Sequence, residues 1–96
     1  MYARVTVTQV STDQVDQAVQ YIQEHVLPAV KAMPGVKGAY FLLSRETGKG
    51  LSISLWDTEE EMQASSATAS QARSDAVQSL SVNVQGVDNY EIVAQL

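Results

Sequence analysis

The segment from residue 36 to residue 62, VKGAYFLLSRETGKGLSISLWDTEEEM, constrains the fold of this chain more than any other. Two β-rich runs flank a turn that contains two glycines, and the second run continues directly into a helix start. Thr58 and Glu61 have the spacing of a capping box, and the neighbouring carboxylates suit the positive end of a helix dipole. The segment therefore predicts a β-hairpin that is followed at once by a helix.

The two strands of this hairpin carry different patterns of apolar side chains. Residues 39–43, AYFLL, are apolar on both faces, which indicates a strand that is covered on both sides. Residues 51–56, LSISLW, alternate strictly, so that aliphatic side chains share one face and Ser52, Ser54 and Trp56 share the other. We expect the face with the two serines and the tryptophan to point away from the helices.

The first part of the chain predicts a strand followed by a helix. Residues 2–10 alternate and are rich in β-branched side chains, which indicates a strand with Arg4 and Thr6 on its polar face. Ser11 and Gln14 have capping-box spacing, and apolar residues then recur at the spacing of an amphipathic helix. The first strand and first helix thus precede the hairpin.

Both helices contain a feature that disturbs them. Pro28 removes a backbone donor and crowds the preceding turn, so we expect a kink or a break near residues 25–27. The second helix runs towards Leu80, but its middle is rich in serine and threonine, which weaken helix propensity and predict a break near residues 65–70. Residues 87–95 read as the last strand.

The order strand, helix, strand, strand, helix, strand predicts an α+β, ferredoxin-like βαββαβ fold. In that fold a four-stranded antiparallel sheet carries both helices on one face. At 96 residues we expect one domain, residues 1–96, that buries only about 60–68% of its unfolded surface. The uncovered sheet face would be a large apolar patch. We therefore expect a homodimer that stacks these faces as a dimeric α/β barrel with a pocket inside.

Composition excludes several classes of function. A net charge of −5 with scattered basic residues argues against nucleic-acid and anionic-membrane partners. The absence of cysteine excludes disulfides, thiolate metal sites and cysteine nucleophiles. No apolar run approaches the ~20 residues that span a bilayer, and no signal peptide is evident, so we expect a cytoplasmic location.

Three runs of the sequence resemble a known group of proteins: PGVKGAY at residues 34–40, TGKG at residues 47–50, and WDTEEEM at residues 56–62. They are similar to the dimeric α/β barrel superfamily, in particular its antibiotic biosynthesis monooxygenase-like branch. The resemblance covers essentially the whole chain and implies a homodimer with a ligand cavity in each subunit. Characterised branches include cofactor-independent oxygenases that act on polycyclic aromatic substrates, and haem-degrading members.

The resemblance also identifies residues that this chain lacks. Haem-degrading members use an asparagine on the first strand, and a tryptophan and a histidine in the second helix. Here the first strand has Thr6 and Thr8 in place of an asparagine, and the second helix has neither a tryptophan nor a histidine. We therefore expect no haem and no other cofactor. One imidazole, that of His25, does not make a metal site either, because zinc and iron take three or four convergent ligands.

Two residues are candidates for proton transfer. His25 borders the apolar stripe of the first helix, where it would act as a general base or only form a local hydrogen bond at the helix end. Tyr40 has the opposite parity to Phe41, so one of the two faces the helices and the other the dimer side. If Tyr40 faces the cavity, its hydroxyl is a candidate donor to a substrate oxygen.

Four further residues are candidates for substrate binding. Arg4, which shares its strand face with Thr6, would clamp a carboxylate or phenolate if that face lines the cavity, or lie at the rim. Ser54 would stabilise an oxyanion. Trp56 would stack on a planar ligand or pack in the core or the dimer interface.

Two functions are consistent with these candidates. The first is a cofactor-independent monooxygenase, in which a base takes a proton from an acidic aromatic substrate so that the carbanion reacts with O₂. The second is a non-catalytic homodimeric module that uses the same cavity to hold an apolar or aromatic small molecule, or serves a structural role. A cavity of a few hundred Å³ on which His25, Tyr40 and Trp56 converge would favour the enzyme.

Overall fold

The computed structural model describes residues 1–96 and confirms the ferredoxin-like α+β fold. The four strands are β1 (Tyr2–Gln9), β2 (Val36–Leu43), β3 (Lys49–Trp56) and β4 (Asn83–Glu91). They form one sheet in the order β2-β3-β1-β4, and every neighbouring pair is antiparallel. The helices are α1 (Val15–Tyr21), α2 (Leu27–Lys31), α3 (Glu59–Ala64) and α4 (Ser66–Leu80).

A π-helical turn at Ile22–Val26 joins α1 to α2 without interrupting the helical path. The backbone N–H of Leu27 donates to the carbonyl of Ile22, five residues earlier, in place of the usual partner four residues earlier. In a regular α-helix the ring of Pro28 would clash with the carbonyl of residue 24. The expected disturbance near residues 25–27 is therefore a widened turn ahead of the proline rather than a break.

Thr58 caps the second helical segment as its spacing predicts. The N–H of Glu61 donates to Thr58 Oγ1 over 3.1 Å. The expected interruption of this segment is also confirmed, since α3 ends before Ser65 and α4 begins after it. Ser65 is buried, and its hydroxyl donates to the carbonyl of Met62 over 2.7 Å. The break thus brings a polar side chain into the interior.

The first predicted cap does not form. Ser11 makes no side-chain hydrogen bond to the backbone of the following helix, and a short 3₁₀ turn, Thr12–Gln14, precedes α1. The Ser11 hydroxyl instead lies 3.3 Å from Oε1 of Gln14 in an exposed side-chain contact. The same sequence spacing therefore produces a backbone cap at one helix and only a surface contact at the other.

The helices cover the opposite face of β3 from the one that the sequence predicts. Ser54 is paired with Arg4 on β1 and with Ala39 on β2, and all three lie on the helix side. The prediction that Ser54 and Trp56 point away from the helices was wrong, because Trp56 is fully buried against Met62. The aliphatic residues of β3 face outward instead.

The last strand begins and ends earlier than its sequence predicts. Ser81 ends α4 in a left-handed conformation with φ 54°, and β4 pairs with β1 from residue 83 onward. The predicted strand at residues 87–95 therefore overlaps β4 only as far as Glu91. A register shift beside Val7 and Thr8 accommodates the extra residue of β4.

Two small core clusters lie between the sheet and the helices. One consists of Met33, Trp56, Met62 and Ala69, and the other of Val10, Val15 and Ala18. Members of both clusters also line the cavity described below, which therefore occupies the space between them. No helix of the chain combines the length and apolar character that crossing a membrane requires.

Candidate functional site

A cavity of about 120 Å³ lies between the helix side of the sheet and the helices. Of the 25 residues that line it, 18 are hydrophobic. Polar groups are concentrated on the sheet, where Thr6, Thr8, Ser52 and Ser54 form part of the floor. Such a combination of apolar walls and few polar groups is typical of small-molecule sites.

The cavity is built within one chain, not against the sheet face that we expected to meet a partner. Phe41 and Leu43 of β2 belong to its walls, whereas Tyr40 projects from the other side of the sheet. The roof comes from the first helical segment, including Tyr21 and Val26, and from α4. The cavity thus lies between the sheet and the helices of a single chain, whereas the sequence led us to expect a pocket between two stacked sheets.

Small residues of α4 leave the cavity open. Ala69, Ala72 and Ala76 face the sheet at helical spacing and line the cavity. An alanine occupies little of the space that a larger apolar side chain would fill at the same position. The scarcity of large side chains in α4 is therefore what leaves volume for a ligand.

Arg4 lies at one end of the cavity and is only 5% exposed. Its guanidinium donates to Ser65 Oγ over 3.0 Å, to the carbonyl of Met62 and to Ser66 Oγ over 3.4 Å. The same group lies 5.7 Å from the ring centroid of Trp56, within cation–π range. The helix break at Ser65 thus supplies the polar groups that hold a buried cation.

Arg73 is the second cation in the cavity wall, and sequence analysis did not identify it. It is partly buried on α4, and its guanidinium makes no hydrogen bond or ion pair within the chain. Its position carried a signal, because it lies four residues after Ala69 and three before Ala76 on the inward stripe of the helix. A charged residue on an apolar stripe needs a partner or a function.

Burial lowers the pKa values of both arginines, and Arg73 also affects Arg4. Burial lowers the pKa of Arg4 below its ordinary value, and the positive charge of Arg73 lowers the pKa of Arg4 further. Burial also lowers the pKa of Arg73. No aspartate, glutamate, histidine or lysine lines the cavity. In a chain with a net charge of −5, the cavity is therefore a local site of uncompensated positive charge.

The sequence-predicted substrate-binding residues lie close together at this end of the cavity. Arg4, Thr6 and Ser54 contribute to the cavity walls. Trp56 lies beside Arg4 but is fully buried, and its indole N–H donates to Ser54 Oγ over 3.0 Å. The indole is thus enclosed by protein and has a core position, one of the two roles considered for it. The guanidinium of Arg4 packs over its ring.

The two candidates for proton transfer lie outside the cavity. His25 is exposed on the π-helical turn, where its ring centroid lies 4.9 Å from that of Tyr21. Tyr40 is 61% exposed on the opposite face of the sheet, because its register partner is Ile53 rather than Ser52. The structure therefore does not bring His25, Tyr40 and Trp56 together around one volume, and the cavity contains no imidazole.

The cavity does not fit haem or a metal ion. No group of three or more His, Cys, Asp or Glu side chains is placed to hold a metal. The only histidine lies outside the cavity, and a porphyrin with four pyrrole rings far exceeds a volume of about 120 Å³. The residues of this site thus offer neither an axial ligand nor the space for that cofactor.

Comparison with solved structures finds the same fold in several proteins. A Deinococcus radiodurans protein assigned as an antibiotic biosynthesis monooxygenase superposes with a TM-score of 0.76 at 20% identity, over 100% of this chain and 96% of the other. The ActVA-Orf6 monooxygenase of Streptomyces coelicolor, solved with nanaomycin D, gives a TM-score of 0.73 at 15% identity, over 99% and 89%. These likenesses show the fold.

Sequence comparison identifies the protein family of this chain, which the fold comparison does not. The uncharacterised protein Rv2557 of Mycobacterium tuberculosis is 30% identical over 94 residues, which are 98% of this chain and 42% of that protein. The chain thus spans about two fifths of the length of this relative. The model of the antibiotic biosynthesis monooxygenase family matches residues 1–79. With its fold, its cavity and this match, the chain belongs to the antibiotic biosynthesis monooxygenase family.

Proposed function

We propose that this protein binds a small aromatic molecule in the cavity between its helices and its sheet, and oxygenates it with O₂ without a cofactor. The observation that carries the proposal is the cavity itself, whose walls are apolar and whose floor presents the hydroxyls of Thr6, Ser52 and Ser54. Family membership supports the oxygenation. The nanaomycin D that ActVA-Orf6 binds in its crystal supports a small-molecule occupant.

The chemistry must suit a cavity without a carboxylate or imidazole base. His25 and Tyr40 were the candidates for proton transfer, but neither lies in the cavity wall. The substrate would therefore be a compound that ionises readily, such as an acidic phenol with one ring, and would release its proton to solvent. Its anion is electron-rich and can pass an electron to O₂.

The atoms of this reaction balance without a further reductant. The phenol loses its hydroxyl hydrogen and the hydrogen of one ring carbon, that carbon gains one oxygen atom as the second carbonyl of a quinone, and the other oxygen atom leaves as water. The role of the protein is to bind the ionised form, to orient it through the floor hydroxyls and to exclude bulk water. Thr6, which is buried, and Ser54 are the polar groups that we assign to orientation.

Oxygen uptake tests the proposal. An oxygen electrode would follow a set of single-ring hydroxyaromatic compounds with wild-type protein and with Ala76→Leu, which fills the cavity. Ala67→Leu on the exposed side of the same helix is the matched control. We expect protein-dependent uptake that Ala76→Leu abolishes and Ala67→Leu leaves unchanged. Uptake that the cavity-filling change does not affect would contradict the proposal.

A non-catalytic binding module is the second candidate, and one observation favours it. The walls contain no residue that exchanges a proton near neutral pH, whereas enzymes with acid–base steps place such residues in the cavity. The same compounds separate the two functions. Binding without oxygen uptake would support the module, and uptake above the rate in buffer would support the enzyme.

We further propose a homodimer in which two copies pair through the outward face of the sheet. This face carries aliphatic side chains of β1 and β3, and its Tyr40 and Leu42 are 61% and 50% exposed. A sheet face of this kind is costly in water and typical of an interface. A cytoplasmic location stays a prediction from the sequence.

A further inference from the structure

We propose that the ligand of the cavity is an organic anion about the size of one aromatic ring, and that its charged group pairs with Arg73 beside Arg4. This inference rests on the proposed function in one respect, that the cavity is the ligand site. It does not depend on whether the ligand reacts with O₂. It restricts the class of ligand to molecules with a negative charge and the size of about one ring.

The charge follows from the cavity's uncompensated cations. Arg4 and Arg73 both line it, and no carboxylate does. The partners of Arg4 are all neutral, namely the hydroxyls of Ser65 and Ser66 and the carbonyl of Met62. Charged groups that are withdrawn from water are normally paired with an opposite charge. A ligand with an acidic group would supply the counter-charge that the chain does not.

The two arginines have different roles in this arrangement. Arg4 is fixed by three hydrogen-bond acceptors and by the ring of Trp56 beneath it. Arg73 has no partner, so that all five of its N–H donors are available. A guanidinium with free donors binds a carboxylate through two parallel hydrogen bonds. Arg73 is therefore the residue that contacts the anion, and Arg4 adds a fixed positive charge.

An anion between Arg4 and Arg73 would also offset the electrostatic repulsion between the two guanidinium groups. The charge of Arg73 lowers the pKa of Arg4, which shows that the two cations are close enough to interact. A bound negative charge attracts both guanidinium groups and offsets their mutual repulsion. The two cations thus favour the binding of an anion between them.

The size follows from the volume of the cavity. An engineered apolar cavity of ~150 Å³ binds benzene. At about 120 Å³, the cavity of this chain matches a single ring or a short branched chain, with the acidic group at the arginine end. The polycyclic substrates that the family resemblance implies would need a larger volume. We therefore expect aryl carboxylates and acidic phenols with one ring to bind better than polycyclic acids.

Isothermal titration calorimetry with three probes tests charge and size together. Benzoate and benzamide have nearly the same shape but differ in charge, and anthracene-2-carboxylate keeps the charge but has three rings. We expect benzoate to bind at least about tenfold more tightly than benzamide, the difference typical of one charge-assisted hydrogen-bonded contact. We expect anthracene-2-carboxylate to bind more weakly than benzoate.

Substitutions assign the effect to Arg73. Arg73→Gln should weaken benzoate binding at least about tenfold and leave benzamide binding unchanged. Arg45→Gln removes the same charge at an exposed position, where Arg45 pairs only with Asp16. This control should leave the affinities for benzoate and benzamide unchanged. Arg73→Lys keeps the positive charge but lacks the planar guanidinium that binds a carboxylate through two hydrogen bonds, and it should retain part of the affinity for benzoate. Circular dichroism would establish that each variant is folded.

The outcomes separate this inference from the proposed function. Equal affinity for benzoate and benzamide, tighter binding of the three-ring acid, or an unchanged affinity in Arg73→Gln would each overturn it. Absence of binding by all three probes would overturn it as well. If Arg73→Gln fails to fold, the salt dependence of wild-type binding decides, since high salt should weaken the binding of benzoate and leave that of benzamide unchanged. Selective benzoate binding without oxygen uptake by any substrate would support this inference and contradict oxygenation.

Discussion

At the scale of single residues, the site depends on how a chain with few polar core residues holds a buried arginine. Arg4 connects β1 to the helix break through Ser65 and Met62, and it lies against Trp56. The sequence identified Arg4, Thr6 and Ser54 as candidates because they alternate on strands. It could not identify Ser65 as a partner, since that contact spans 61 residues and depends on the tertiary structure.

Replacing Arg4 with leucine should destabilise the fold. The change leaves the hydroxyl of Ser65 without the guanidinium that it accepts from, and it removes the cation from above Trp56. We expect a loss of about 1–3 kcal/mol in the free energy of unfolding. Urea denaturation would measure it. Arg45→Leu, at an exposed ion pair, should change stability by no more than about 0.5 kcal/mol.

The single tryptophan should be shielded from solvent in the native protein. Trp56 is 0% exposed and packs against Met33 and Met62, which agrees with core packing, one of the two roles that the sequence left open for it. We expect its fluorescence emission to be blue-shifted and hardly quenched by acrylamide until the chain unfolds. Native-state quenching close to that of free tryptophan would contradict a core role and would restore Trp56 as a platform for planar ligands.

At the scale of elements, identical sequence patterns led to different structures. Capping-box spacing occurs at Ser11 and at Thr58, but only Thr58 accepts from a backbone N–H. Strand alternation in residues 51–56 predicted two faces correctly, but our prediction of which face the helices cover was wrong. That choice depends on the bulk of Trp56, which only the interior can enclose. Local patterns thus determined the elements, and packing between distant segments determined their orientation.

The two capping boxes offer a matched pair of substitutions. Thr58→Ala removes an acceptor for the N–H of Glu61 and should lower the free energy of unfolding by about 1 kcal/mol. Ser11→Ala removes no hydrogen bond to the helix backbone, and its free energy of unfolding should lie within about 0.5 kcal/mol of the wild-type value. Thermal and urea denaturation of both variants would measure the difference. Equal losses would show that Ser11 caps its helix in solution.

At the scale of the whole molecule, the sheet separates two surfaces with different roles. The helix side encloses the cavity and its two arginines, whereas the outward side carries apolar side chains that the single chain leaves exposed. The sequence predicted an uncovered apolar face from the number of helices alone. It did not predict Arg73, because the identity of cavity residues depends on which small side chains of α4 face the sheet. Tyr40, assigned to catalysis from the sequence, lies on the outward surface.

The outward surface should hold the protein as a homodimer. Tyr40 and Leu42 are among the most exposed large side chains of the sheet, and the neighbouring Leu51 and Ile53 extend the same apolar face. Two copies that stack these faces would withdraw them from water, at a gain of about 25 cal/mol for each Å² of apolar surface. Multi-angle light scattering should therefore give twice the chain mass of 10.4 kDa.

A charge on this surface should dissociate the dimer. Leu42→Lys would place an unpaired cation on the sheet face that we propose as the interface, where the cost of burying it exceeds what the lost leucine contributed. We expect a mass near that of one chain for this variant at micromolar concentration. Leu27→Lys is the matched control, because Leu27 is 45% exposed on α2, away from the sheet face. If both variants keep the dimer mass, the subunits pair through another surface; if wild type is monomeric, the apolar sheet face has another partner.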